Sequence, residues 1–195
     1  SKSMLERCAR AIVSRCSKEH FDAVKAAFNK SSVSVEINDR AHMIIIKNKT
    51  FQTPSTGGRI AVLTAGTSDI PIAEEAKLIA QEIGCTVTTI YDVGVAGIHR
   101  LLEPLKTVVS NDVDVVVVVA GREGALASVV SGLVDVPVIA VPTSNSYGFG
   151  AKGVATLMAM LQSCSLGLAV VNIDGGVAAG AMAALVANRA AKFRR

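Results

Sequence analysis

From Arg59 onward, short apolar runs rich in Val, Ile and Ala alternate five times with longer segments whose apolar residues fall at helical spacing. Few folds admit that pattern. Near-continuous apolar runs are strands buried on both faces, and a helix between successive strands forces parallel pairing with right-handed crossovers. The spacing predicts strands at Arg59–Ala65, Thr86–Tyr91, Val113–Ala120, Pro137–Val141 and Leu168–Ile173. It predicts helices over Ile70–Ile83, Ile98–Ser110, Ala125–Leu133, Lys152–Gln162 and Val177–Phe193. The expected class is α/β, a three-layer sandwich with a central parallel sheet. Aromatic residues make up only 4% of the chain and Trp is absent, so the core must be aliphatic. The last helix is rich in small residues (Ala178, Ala179, Gly180, Ala181, Ala183, Ala184, Ala187), which suits close packing, with a subunit interface favoured slightly over the monomer interior.

The residues before Arg59 follow other periods. Leu5, Cys8, Ala9, Ile12 and Val13 fall at helical spacing, as do Phe21, Val24, Ala27 and Phe28. Ser32–Ile37 alternates, His42–Lys47 is a β-branched run, and Phe51–Gly58 is a turn-rich linker. The expected organisation is a small basic α+β segment with its linker over 1–58 and a second domain over 59–195. Residues 1–58 hold ten Lys/Arg against five Asp/Glu, so the formal net charge of +4 belongs to this segment. No basic patch interleaves with aromatics, which argues against nucleic acid as a partner. No apolar run is long enough to span a membrane. Four well-separated cysteines (Cys8, Cys16, Cys85, Cys164) form neither a metal-binding nor a disulfide pattern, as expected of reduced thiols in the cytoplasm. Cys8, Cys16 and Cys85 are expected to fill core space. A first residue of Ser fits a processed or truncated chain.

Parallel sheets bind ligands at the carboxyl ends of their strands, and every Gly-rich or polar cluster here falls at such an end. The clusters are Thr64–Asp69, Asp92–Arg100, Ala120–Gly124, Pro142–Gly150 and Asn172–Gly176, whereas the loops at the amino ends read as ordinary. Thr67 and Ser68 precede a helix with Asp69 and Pro71 at its start, which suits either phosphate or a plain cap. Arg100 can fork onto phosphate oxygens, and His99 beside it is equally a structural or a site residue. Glu123 stands between Gly121 and Gly124, where a carboxylate is a base or a metal ligand if it is not a solvated turn residue. Gly148–Gly153 formally matches a dinucleotide fingerprint with Asp174 downstream, but it follows the fourth strand and reads better as a flexible binding loop.

These clusters, in order and spacing, resemble the AIR carboxylase-like superfamily, whose fold is flavodoxin-like. The resemblance rests on Thr67–Pro71, His99-Arg100, Ala120-Gly121 and Val136–Pro142. A finer resemblance is to the LarB family, the pyridinium-3,5-biscarboxylic acid mononucleotide synthases of nickel-pincer cofactor biosynthesis. It is carried by Thr64–Pro71, Tyr91–Leu102, Glu123–Leu126, Gly132–Asp135 and Val170–Asp174, and spans roughly Arg59 to Leu185.

That resemblance implies a carboxylase and hydrolase. The substrate would be nicotinic acid adenine dinucleotide, with CO2 or bicarbonate as co-substrate. It places the nucleophile on Cys164, through Met160–Cys164, and a water-activating or metal-binding carboxylate on Glu123, with Mg2+ or another divalent ion as the metal. Composition alone does not single out Cys164. Substrate binding would fall to Thr67, Ser68, Asp69, Asp92, Gly94, His99, Arg100, Gly121 and Gly124. A homo-oligomer, octameric in the related fold, is implied as well. The purine-pathway pattern has Met-Pro where this chain has Ser163-Cys164, and lacks the Glu. The competing expectations are a purine-pathway AIR carboxylase or mutase, and a dinucleotide-binding protein without chemistry.

Overall fold

Val115 to Val119 are all buried, which only the middle of a sheet covered on both faces can achieve. The computed structural model describes residues 2–28 and 32–194 and shows that sheet. Its strands are β4 (Arg59–Thr64), β5 (Thr86–Ile90), β6 (Val115–Ala120), β7 (Val138–Pro142) and β8 (Leu168–Val170). All pairings are parallel, in the order β5-β4-β6-β7-β8. The helices are α3 (Ile70–Glu82), α4 (His99–Ser110), α5 (Ala125–Ser131), α6 (Val154–Leu161) and α7 (Gly176–Ala191). Each expected strand and helix of this half is present, with ends shifted by a few residues. β8 ends at Val170, although the Val171 N–H still reaches the Ala140 carbonyl, and the chain turns at Ile173 and Asp174, the latter left-handed with φ 55°.

Strand residues alternate between the two faces. Ala61, Leu63, Val116, Val118, Val138 and Ala140 pack with Leu101, Leu105, Val108, Leu126, Val130 and Met160 of α4, α5 and α6. Ile60, Val62, Val115, Val117, Ile139 and Val141 pack with alanines of α3 and α7. Each fully buried valine contributes on the order of 1.5–3 kcal/mol. The small residues of α7 are consumed here. Ala179, Gly180, Ala183, Ala184 and Ala187 are buried against α3 and the sheet, and a Cβ at Gly180 would come within 2.8 Å of the Ala76 Cα. Most of the stripe thus serves packing within the chain, whereas Ala178 is exposed and Ala181 only half-buried.

A second compact unit covers Ser1–Thr53, and Pro54–Arg195 form the first described. The division falls inside the expected linker, since Thr56 hydrogen-bonds Gly84 and Arg194 donates to the Gly57 carbonyl. The smaller unit contains α1 (Lys2–Cys8), β1 (Arg10–Val13), α2 (Lys18–Phe28), β2 (Val33–Asn38) and β3 (Met43–Asn48). Its antiparallel sheet has the order β1-β3-β2. Ile12 and Val13, expected in a helix, lie instead in β1. Ala9 turns left-handed at φ 56°, and Arg10–Val13 then pair with β3, whose Ile44 and Ile46 build the core with Leu5, Ala11 and Phe21. Tertiary pairing overrides the local spacing. Cys16 is buried as expected, whereas Cys8 at the end of α1 is exposed. No helix among the described residues is long and apolar enough to cross a membrane.

Candidate functional site

The strand order reverses at β4, which has β5 on one side and β6 on the other. A crevice must open where the loops after β4 and β6 leave in opposite directions. A cleft of about 420 Å³ lies there, with Ala65 and Gly66 following β4, Ala120 ending β6 and Gly121 following it. Ser68, Asp69, Arg122, Glu123, Asn145 and Tyr147 supply its polar and aromatic lining.

Asp69 anchors the floor. It is only 3% exposed, and its carboxylate accepts from the Thr143 hydroxyl at 2.8 Å and the Gly66 N–H at 3.0 Å. Asp69 stands at the N-cap position of α3 without a side-chain bond to that helix, and its carboxylate instead closes the short turn before it through the Gly66 N–H, so a structural capping role remains beside a ligand role. Burial pushes its carboxyl above the ordinary value, while the donors from Thr143, Gly66, Asn145 and Gly121 pull the other way. Gly121 permits this closeness, because a Cβ there would lie 2.9 Å from the Thr143 hydroxyl. The Asn145 amide donates to the Ser68 carbonyl at 2.7 Å, fastening the loop after β7 to the loop after β4.

The sequence-derived site residues divide. Ser68, Asp69, Gly121 and Glu123 line the cleft. Thr67 is exposed beside them but does not line it. Arg100 donates to Asp92 at 2.6 Å, with both side chains nearly half exposed, and the Asp92 N–H is held by the Thr64 hydroxyl at 3.0 Å. These two stand at the carboxyl edge, outside the cleft lining, as does exposed His99 at the start of α4. Gly94 and Gly124 serve close packing, against the Ala65 carbonyl and the Met160 side chain.

Cys164 lies elsewhere. It is exposed, on the segment leading into the amino end of β8, and does not line the cleft. That segment is fastened to α5: the Ser163 and Ser128 hydroxyls meet at 2.6 Å, and the Ser165 hydroxyl donates to the Ser128 carbonyl at 2.8 Å. Within one chain, Cys164 and Glu123 do not share a pocket.

Gly148–Gly153 does not form a phosphate-cradling turn between strand and helix. It is a 3-10 segment with Ala151 and Lys152 left-handed, and Gly153 closes onto the Thr143 carbonyl at φ 96°. Among the described residues, no group of three or more His, Cys, Asp or Glu is placed to hold a metal. Glu123, at the cleft, could take part in holding an Mg2+ ion together with water and oxygens from a substrate, a common way of binding that ion. Sequence reasoning missed Arg122, Thr143, Asn145 and Tyr147 as individual residues. Their signal was present, since all four lie in clusters that follow β6 and β7.

The AIR carboxylase family model matches residues 59–194. An uncharacterized protein of Methanocaldococcus jannaschii is 51% identical over 160 residues, which are 82% of this chain and 61% of that protein. A probable N5-carboxyaminoimidazole ribonucleotide mutase of Methanothermobacter thermautotrophicus is 32% identical over 133 residues, 66% of this chain and 37% of that protein. The chain thus spans less than two thirds of the length of either relative. The crystal structure of a Treponema denticola PurE2 variant superposes with a TM-score of 0.55 at 23% identity, covering 71% of this chain and 82% of that one, and so supports the fold. Sheet order, a cleft at the switch point and the extent of the match agree: the chain belongs to the AIR carboxylase family.

Proposed function

We propose that the chain carboxylates C5 of the pyridine ring of nicotinic acid adenine dinucleotide and hydrolyses its phosphoanhydride. The products are pyridinium-3,5-biscarboxylic acid mononucleotide and AMP. One observation carries this reading. Where the purine-pathway pattern has Met-Pro and lacks a carboxylate, this chain has Ser163-Cys164 and Glu123, and Glu123 lines the cleft.

The chemistry balances. The Cys164 thiolate adds to C4 of the cationic ring, and the electron pair reaches the ring nitrogen, leaving an enamine. C5 then attacks CO2, the C5 proton leaves to solvent, and expulsion of the thiolate restores the aromatic ring. For the hydrolytic half, Glu123 orients a water toward the diphosphate. A divalent ion bound there with the substrate would neutralise phosphate charge. Ser68, Asp69 and Arg100 hold phosphate or ribose.

This reading requires Cys164 of one copy to reach the cleft of another, because the two do not meet within a chain. Exposed apolar side chains near Cys164 support burial against a second copy: Met158, Leu161 and Leu166, the last 91% exposed. A purine-type carboxylase or mutase is the second reading. It is favoured by the mutase relative and by a cleft without a cysteine.

Mass spectrometry of the dinucleotide incubated with the chain, 13C-bicarbonate and Mg2+ tests the choice. The proposal expects AMP and a labelled dicarboxylated mononucleotide. An unchanged dinucleotide, with aminoimidazole ribonucleotide carboxylated or its carbamate rearranged, would establish the second reading instead.

A further inference from the structure

Tyr147 stands at the cleft mouth with 72% of its surface exposed, and the Arg122 guanidinium covers one ring face at 4.5 Å from the centroid. It is the only aromatic among the residues lining the cleft, and Arg122 is the only cation. The remaining apolar lining is Ala, Val and Leu, with no π surface.

The loops that carry both residues are held by hydrogen bonds between backbone and side chains. The Arg122 carbonyl accepts the buried Thr156 hydroxyl, and its backbone is left-handed at φ 50°. Before Tyr147, the Ser144 N–H donates to Asp174 at 2.9 Å and Asn145 binds Ser68. After it, the Gly153 N–H donates to the Ser146 hydroxyl at 2.9 Å. The loop is pinned on both sides of the ring, and only its tip projects, with Phe149 fully exposed. The Arg122 side chain is exposed, and its contact with the Tyr147 ring lies at the surface.

We propose that Arg122 and Tyr147 together select a pyridinium ring bearing a carboxylate over one bearing an amide. This rests on the dinucleotide reading above and names the residues that read its nicotinate end. A planar cation already lies over Tyr147, so a planar cationic ring can take that place by the same attraction. The displaced guanidinium then forks onto the ring carboxylate, which a neutral amide cannot match. Substrate binding thus replaces one cation–π contact with another and adds a charge-assisted pair.

Calorimetric titration of the chain with nicotinic acid mononucleotide, nicotinamide mononucleotide and AMP separates the outcomes. The wild type should prefer the acid over the amide by roughly tenfold. Arg122→Gln should bring that ratio close to one. Tyr147→Leu should weaken both pyridinium ligands roughly tenfold, while Tyr147→Phe keeps them within about twofold. Both side chains are exposed, so thermal midpoints should match the wild type. An unchanged acid-to-amide ratio in Arg122→Gln overturns the proposal. So does a Tyr147→Leu loss confined to AMP, which would assign the ring face to adenine. A wild type that converts the dinucleotide without preferring the acid form overturns this inference alone. A wild type that neither converts nor binds the dinucleotide overturns the functional reading beneath it.

Discussion

At the carboxyl edge of the parallel sheet, loops after β4, β6 and β7 converge on a cleft with a buried carboxyl, a rim carboxylate and an Arg–Tyr pair. At the amino edge, the segment before β8 carries an exposed thiol among exposed apolar side chains, held to α5 by serine hydroxyls. The first edge has a pocket and no nucleophile. The second has a thiol that lines neither that cleft nor the shallow cavities beside it. Each lacks what the other supplies, and in the proposed reaction both are needed at one ring. A closed assembly of identical copies can bring unlike surfaces together in that way.

The two edges can be broken separately. The largest effect is expected from Cys164→Ala, which should lower carboxylation by several orders of magnitude while dinucleotide binding in the cleft persists. The product assay and a direct binding titration check both halves. Cys85→Ala, a buried thiol that touches Asn188, should leave catalysis intact. Glu123→Gln should then cost roughly 10²-fold in AMP release with carboxylation less affected, read as the ratio of the two products. Arg100→Gln should raise KM about tenfold with kcat nearly unchanged, because it removes a charged contact equal in ground and transition states.

The smallest effect concerns Asp69. Its folded-state carboxyl lies above the unfolded value because it is buried. Its contribution therefore favours folding below the ordinary aspartate range and is lost as pH rises through the raised value. Urea titrations across that window should show a stability slope that Asp69→Asn flattens. An equal slope in the variant would mean that Asp69 is solvated in the native chain.

Much of the larger unit was legible in the sequence because its signals are local. Five buried valines, helical spacing between strands and polar clusters at strand ends require no knowledge of distant contacts. The smaller unit was harder. Leu5 to Val13 carry a helical spacing, and only the pairing of β1 with β3 converts its second half to strand. The small-residue stripe of α7 illustrates a different limit: composition shows that something approaches closely, but not that it is α3. Asp69, Ser68, Gly121 and Glu123 could be placed from their positions after strands. Tyr147 and Arg122 could not be paired from sequence, since 24 positions separate them and their contact depends on how two loops fold back.

The most direct test of the two-edge account mixes two variants, each impaired in a different half of the reaction. Cys164→Ala and Glu123→Gln, each purified alone, are dissociated, combined in equal amounts and reassembled. Sites that take Cys164 from one copy and Glu123 from another then regain both groups. The account predicts that the mixture converts the dinucleotide well above the sum of the two variants assayed separately. Activity no greater than that sum, with mixed assembly confirmed by native mass spectrometry, would contradict a site built from the two edges of different copies.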